Sequence, residues 1–247
     1  MDRLSGKTAI ISGGARGMGA AFARAIVAES GRVLIADLLE DAGRALASEL
    51  GGTATFARLD VTSAASWRDT VAAAEAAFGP VSVLVNNAGI DHQHYVETVS
   101  EADYRRVIDV NQVGVFLGMQ AVIPSMRRAG RGSIINLSSV AGLNGSPGEF
   151  SYIASKWAVR GMTKAAAAEL AGYGIRVNSV HPGIIRTAMT AVYPREIQER
   201  PVLGRPGEVT EVAPLIVFLA SDESGYITGT EHTIDGGFLL GNRDPRA

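Results

Sequence analysis

No cysteine occurs in the 247 residues of the chain. Disulfides, thiolate metal sites and cysteine nucleophiles are therefore excluded outright. Histidine is scarce, with His92, His94, His181 and His232 scattered along the sequence. That spacing lacks the three or four convergent ligands of a zinc site, so no metal is expected. Charge of one sign is missing too: 23 Lys and Arg face 25 Asp and Glu, a formal net charge of -2. Such a balance gives no electrostatic reason to expect nucleic acid or an anionic membrane as partner. Uninterrupted apolar runs fall far short of the roughly 18 residues that a bilayer span needs. The opening Met1-Asp2-Arg3-Leu4-Ser5 carries no apolar h-region of a secretory signal. A soluble, cytoplasmic globular protein is the expectation.

What is present is a rhythm. Short β-branched runs at 8–12, 32–37, 54–60, 81–86, 133–138, 176–180 and 231–235 alternate with Ala-rich windows of helical period. The helical windows are 17–29, 40–50, 64–78, 101–128, 152–171 and 208–220. Near-continuous apolar runs such as Val81-Ser82-Val83-Leu84-Val85 suit strands covered on both faces. This order predicts an α/β fold: one doubly wound Rossmann-type domain over 1–247, with a seven-stranded parallel sheet and helices on both faces. No linker or internal repeat divides the chain. The stretch 187–206, with Pro194, Pro201 and Pro206, breaks the rhythm after the sixth strand and reads as a substrate lid.

The first strand runs into Ser12-Gly13-Gly14-Ala15-Arg16-Gly17-Met18-Gly19 and then a helix. Glycines at such a turn let backbone approach a pyrophosphate at the helix N-terminus. Asp37 ends the second strand, 20 residues beyond Gly17, where a carboxylate can accept from both adenine-ribose hydroxyls. A 2′-phosphate beside it would meet like charge, which favours NAD(H) over NADP(H). Arg16 dissents, because a guanidinium there can meet a phosphate. Asp60-Val61 and Asn86-Asn87-Ala88-Gly89 end the third and fourth strands, as cofactor contacts or as turn chemistry.

Further along, Tyr152 and Lys156 lie one helical turn apart and project from one face. Ser138-Ser139 ends the fifth strand, 13 residues before Tyr152 in the case of Ser139, and Asn111 lies in the preceding helix. With Pro182-Gly183 and Thr187 added, the chain from Thr8 to Gly237 resembles the short-chain dehydrogenase/reductase family. Within it, the stretches 12–20, 114–118, 154–161 and 177–183 look most similar to bacterial 3α(or 20β)-hydroxysteroid dehydrogenases.

The resemblance implies a catalytic tetrad of Asn111, Ser139, Tyr152 and Lys156. It implies that Thr187 holds the nicotinamide carboxamide and Asn87 the nicotinamide ribose, with Arg16, Met18, Asp37, Val61 and Ile185 lining the cofactor trough. The expected cofactor set is Ser12, Gly13, Arg16, Gly17, Met18, Gly19, Asp37, Asp60, Val61, Asn87, Ala88, Gly89, Tyr152, Lys156, Pro182, Gly183, Ile185, Thr187 and Met189. Ser12 stands where the family usually has Thr, and keeps the hydroxyl. The reaction implied is hydride transfer between the nicotinamide and a carbinol or carbonyl carbon, with Tyr152 exchanging the proton. Tyrosine has a pKa near 10, so acting as base near neutrality requires lowering it by about 2–3 units. Lys156 and the oxidised nicotinamide both favour the phenolate. Ser139 is placed to hold the substrate oxygen, and the Asn111 role, in a proton path through Lys156, comes from the family alone.

Substrate contacts are expected from Ser139, Tyr152, Gln93, Glu149, Met189 and Tyr193, within 93–95, 140–150 and the lid. The apolar lid residues Met189, Val192 and Tyr193 suit a small hydrophobic secondary alcohol or ketone, a steroid included. His92 and His94 read as solvated loop residues, and Arg127-Arg128 with Arg131 as cations suited to a helix end. Two other readings compete: an NADPH-dependent 3-oxoacyl-carrier or broad carbonyl reductase, and a non-catalytic dinucleotide-binding scaffold. Asp37 argues against the first and the intact tetrad against the second. A homotetramer is expected, mainly from the resemblance. The broad apolar window 111–125 adds a modest physical reason.

Overall fold

A computed structural model describes residues 2–241. Seven strands form one parallel sheet in the order β3-β2-β1-β4-β5-β6-β7. They are β1 (Thr8–Ser12), β2 (Arg32–Asp37), β3 (Ala54–Arg58), β4 (Val83–Asn86), β5 (Gly132–Leu137), β6 (Ile175–Pro182) and β7 (Glu231–Ile234). The order reverses between β1 and β4, which pair with Ser12 opposite Asn86. A crevice must open there, because the connections on either side leave in opposite directions.

Adjacent residues of each strand serve opposite faces, as the two-residue period requires. Ile11 and Ile35 join one core with Phe22 and Ile26 of α1 (Gly17–Ala28) and Val212 and Ile216 of α8 (Val209–Ala220). Ile10 and Leu34 join the other, with Trp67 of α3 (Ala64–Phe78), Val115 and Met119 of α5 (Gly114–Ala129), and Val159 of α6 (Phe150–Leu170). Burial of both strand faces explains why these segments lack polar alternation. Helix ends follow local chemistry. The Ser63 and Ser100 hydroxyls accept the N–H groups of Ser66 and Asp103 at the starts of α3 and α4 (Glu101–Ile108). Gly130 ends α5 in the left-handed region, at φ 67°.

Three features depart from expectation. The helix predicted over 101–128 is interrupted by a π-turn at Asp109–Val113, which separates α4 from α5. As a continuous run, Glu101–Ala129 is long and apolar enough to cross a membrane by length and composition. The apolar-run argument overlooked it because charged residues at its start break the uninterrupted stretch. Its Val107, Val115, Met119, Val122 and Met126 are instead core residues. Lastly, the stretch 187–206 contains a short helix, α7 (Arg195–Gln198); α2 (Glu40–Leu50) completes the helices of the N-terminal half.

Candidate active site

At the crevice, β1 delivers Ser12 into the glycine turn. The Ser12 hydroxyl accepts the backbone N–H groups of Asn87 and Ala88 at 3.1 and 3.2 Å. The Asn87 amide donates back to the carbonyls of Ser12 and Gly13, at 3.0 and 2.9 Å. The two turns are thereby stapled side by side. Gly13 and Gly17 sit at φ 63° and 55°, which L side chains resist. A Cβ on Gly13 would lie 2.8 Å from the Ala88 Cα, and one on Gly19 would lie 2.1 Å from the Gly13 carbonyl.

A cleft of about 830 Å³ opens in front of this turn. Gly13, Arg16, Gly17, Met18, Asp37, Asp60, Val61, Asn87, Ala88, Gly89, Thr187 and Met189 all line it. No side chain caps the start of α1, so its first N–H groups lie open beside the lining residues Gly17 and Met18. Asp37 stands at one end, accepting the N–H of Ala15 at 3.0 Å and of Leu39 at 3.1 Å. This cradle fits a dinucleotide: glycines where backbone must come close, open helix N–H groups for phosphate, and a carboxylate for hydroxyls.

Other expected cofactor residues stand back from the cleft. Ser12 and Gly19 hold the turn from beneath. Ile185 is a correction: it was expected to line the trough, yet it is buried in the core of the α1 face. Its main chain bridges to Gly207, and that pairing turns the side chain inward. Pro182 ends β6 outside the cleft lining, and Gly183 packs so tightly on Asp235 that a Cβ would come within 2.8 Å. The Asp60 carboxylate does turn chemistry at the cleft wall, accepting the hydroxyl and N–H of Thr62 at 2.7 and 2.9 Å. Arg105 and Arg106 line the cleft as well, and nothing in the sequence singled them out.

Beyond Met189, which lines both spaces, lies a second pocket of about 680 Å³. Ser139, Tyr152, Gln93, Glu149, Met189 and Tyr193, the whole expected substrate set, border it. Ser139 follows β5 and its hydroxyl accepts the N–H of Ala141 at 3.1 Å. Tyr152 and Lys156 project from α6, with the Lys156 ammonium 5.4 Å from the centre of the Tyr152 ring. Lys156 is buried and donates to the Leu137 carbonyl at 2.8 Å. Asn111 sits in the π-turn, fully buried. Its carbonyl oxygen accepts the Ile90 N–H, and its amide donates to the Ile90 carbonyl and the Ser155 hydroxyl, at 2.8, 2.8 and 3.2 Å. Insertions of this kind recur at functional sites because they aim a side chain that a regular helix would rotate away.

The protein's own surroundings push the Tyr152 phenol above its ordinary pKa: burial most, against a hydrogen bond with Ser139, with Asp91 and Glu149 adding. The expected lowering draws on the oxidised nicotinamide as well as on Lys156. The Lys156 ammonium points to a backbone carbonyl and does not offset the burial. Burial lowers Lys156 itself to about 8, so it still carries most of its charge near neutrality.

Two comparisons with known proteins agree with this fold. A family model described as enoyl-(acyl carrier protein) reductase matches residues 13–239. The chain is 51% identical over 239 residues to a 3-alpha-(or 20-beta)-hydroxysteroid dehydrogenase of Mycobacterium tuberculosis, covering 97% of this chain and 92% of that protein. It is 49% identical over 250 residues to a trans-4-hydroxycyclohexanecarboxylate dehydrogenase of Sinomonas cyclohexanicum, covering 98% and 96%. A cyclopentanol dehydrogenase of Comamonas testosteroni is 40% identical over 251 residues, covering 96% and 99%. The chain belongs to the short-chain dehydrogenase/reductase family. This short-chain dehydrogenase/reductase is an oxidoreductase of CH–OH groups, and it uses a nicotinamide cofactor.

Some neighbours of the site carried no signal in the sequence. His181, set aside as scattered, is buried, with Nδ1 3.0 Å from the Ser139 carbonyl and Nε2 2.8 Å from the Ser179 hydroxyl. It braces the strand end that carries Ser139. Asp91, one residue past the Asn-Asn-Ala-Gly-Ile turn, enters the second pocket. Burial, and then Glu149, raise its carboxyl above the ordinary range against the pull of the Tyr193 hydroxyl and the His92 N–H. The histidine spacing promised no convergent ligands, yet His92, His94 and Asp103 come within 4.8 Å of one another, all partly exposed. Loop folding brings them together, which linear spacing does not report.

Proposed function

We propose that this enzyme interconverts hydrophobic ring-borne secondary alcohols and their ketones, preferring NAD(H) to NADP(H). The observation that carries the reading is the junction at Met189, where the dinucleotide-shaped cleft meets a pocket bordered by Ser139 and Tyr152. The relatives named for hydroxysteroid, hydroxycyclohexanecarboxylate and cyclopentanol substrates share one feature, a secondary alcohol on an alicyclic skeleton.

The nicotinamide supplies the hydride acceptor or donor when bound. Within the chain, Ser139 holds the substrate oxygen and Tyr152 gives or takes its proton. A buried phenol of raised pKa keeps its hydrogen near neutrality, so Tyr152 is poised as the acid of ketone reduction. Alcohol oxidation needs the phenolate and gains with alkalinity. Lys156 contributes positive charge beneath the Tyr152 ring, and Asn111 fixes the Ile90 backbone that borders the cleft. Asp37 presents a carboxylate where a 2′-phosphate would add a second negative charge, which supports the NAD(H) preference.

The deciding experiment is a panel of cyclic ketones and secondary alcohols with NADH, NAD, NADPH and NADP. Turnover with a lower KM for NADH than for NADPH is expected; no turnover of any member would sink the reading. Association into a homotetramer belongs to the same proposal. Phe116 and Trp157, on α5 and α6, are each 46% exposed, and Phe150 is 45% exposed. Two-fold helix pairing would cover such faces. Light scattering that finds a particle of one 25.8 kDa chain would end that part.

A further inference from the structure

The segment 91–95 has two sides. Asp91, Gln93 and Tyr95 border the second pocket, whereas His92 and His94, which alternate with them, do not. Alternation is what extended backbone imposes, and His94 forms a parallel β-bridge with Glu149. The two imidazoles lie together, with ring centres 4.9 Å apart. Asp103, in the first turn of α4, meets them, and one ligand-type atom from each of the three residues lies within 4.8 Å of the other two. Ordinary contacts leave this cluster half explained. His92 Nδ1 stands 4.0 Å from Asp103 Oδ1, too far for a hydrogen bond. That nitrogen is buried and has no hydrogen-bond partner among the described residues. Across the gap the carboxylate is held in place. The Ser100 hydroxyl donates to Asp103 Oδ2 at 2.7 Å and leaves Oδ1 turned to the histidine. A plain ion pair would need one imidazole, not two, and would close the gap.

We propose that His92, His94 and Asp103 bind a divalent transition-metal ion of the zinc type, which fastens the 91–95 wall of the pocket to α4. Zinc bonds imidazole nitrogen and carboxylate oxygen at about 2.0–2.2 Å, so the 4.0 Å gap is close to two such bonds end to end. A bare cation is smaller than water and fits between atoms that water cannot reach. Two imidazoles disfavour calcium and magnesium, which take oxygen ligands, and suit zinc, nickel or copper. Tetrahedral zinc would take the three side chains and one water. The ligand atoms then draw in from as much as 4.8 Å to roughly 3.4 Å. All three side chains are partly exposed, which leaves them room to move and the ion a way in. Ser100 acts as the outer partner that orients a ligating carboxylate. Arg106 also acts on Asp103, and its like charge keeps the site weaker than a closed structural zinc site. The ion stands outside the pocket, so its role is mechanical and it takes no part in hydride transfer.

The test titrates zinc into the full, untagged chain after chelator treatment, by calorimetry, with hydrogen exchange measured on the same samples. One zinc per chain is expected. His92→Ala, His94→Ala and Asp103→Asn should each weaken binding by about a hundredfold or more, and Ser100→Ala by about tenfold, the scale of an outer partner. His232→Ala, which removes an imidazole elsewhere, should leave the affinity unchanged. Undiminished NADH binding certifies that each variant is folded. Amide exchange over 91–95 should slow when zinc is bound, and should not slow in the three ligand variants. The absence of saturable zinc binding by the unsubstituted chain overturns the inference. Binding that survives the three ligand substitutions, or that His232→Ala removes, places the ion elsewhere and overturns the assignment. Calcium or magnesium binding in preference to zinc overturns the choice of ion. Exchange over 91–95 that ignores a bound zinc overturns the fastening role.

Discussion

The cofactor cleft and the substrate pocket share Met189, yet they are built by opposite means. Backbone makes the cleft: strand ends in register, a glycine turn, and the Ser12 hydroxyl gripping two amide groups of the neighbouring turn. Its parts come from consecutive strand ends and would hold together with few side chains. Side chains make the pocket, and they reach over long separations. Tyr193 meets Asp91 across 102 positions and Glu149 across 44. A backbone-built site tolerates little change in what it binds, whereas a side-chain corner can be rebuilt one residue at a time. The division suits a family in which one cofactor serves many alcohols.

The sharpest way to break the comparison is to remove chemistry while leaving both halves standing. Tyr152→Phe should bind NADH nearly normally yet lose turnover by about 10²–10⁴-fold, the usual contribution of a placed acid–base group. Fluorescence titration and steady-state rates read the two halves separately. Residual activity above about 10% would take Tyr152 out of the mechanism.

Next in size is the residue that joins the halves. Asn111 bonds both backbone groups of Ile90 on the cleft side and Ser155 of α6, the helix that carries Tyr152. Asn111→Leu strands the Ile90 N–H and carbonyl, each costing about 1–3 kcal/mol when buried. A fall in Tm on the order of 10 °C is expected for a chain of this size. A Tm unchanged within 2 °C would show that the link carries no stability.

Legibility in the sequence followed the same division. The sheet, its helices and most cleft residues were readable because each is local: alternation of period, glycines at a strand end, an acid at the next. Ile185 misled because a single bridge to Gly207 decides which way it points. The π-turn that aims Asn111 leaves no mark, since helical periodicity continues on both sides of it. Asp91 carried no signal in the sequence, and only the return of Tyr193 from a distant segment gives it a role. Glu149 and Tyr193 were placed on the pocket from the resemblance and the lid reading, but their contact was invisible.

A smaller effect tests whether the cleft's choice of cofactor rests on one side chain. Asp37→Ser combined with Leu38→Arg removes the like charge and adds a phosphate partner at the exposed residue beside it. The ratio of kcat/KM for NADPH to that for NADH should rise by about tenfold to a hundredfold, the scale of a charge pair near a surface. An unchanged ratio would mean that Asp37 serves only Ala15 and Leu39.

The smallest effect concerns how far the pocket's acids reach into the chemistry. Tyr152 is raised mainly by burial and lowered by Ser139, with Asp91 and then Glu149 raising it further. Lys156, whose ammonium lies 5.4 Å from the centre of the Tyr152 ring, stays in place in the variant considered next. Asp91→Asn removes a negative charge that faces the developing phenolate, so the Tyr152 pKa should fall. The rise of alcohol oxidation with pH should then begin at lower pH, and ketone reduction should lose its acid form earlier as pH increases. One pKa unit corresponds to about 1.4 kcal/mol, and Asp91, which acts on Tyr152 less than burial and Ser139 do, should supply no more than about that. Tyr193→Phe is the control for shape, because it deletes the hydroxyl and keeps both charges. The pH–rate profiles of the two variants decide the matter: the limb should move toward acid in Asp91→Asn and keep its position in Tyr193→Phe. A limb that moves toward alkali in Asp91→Asn would show that the carboxylate acts on Tyr152 through packing and not through charge.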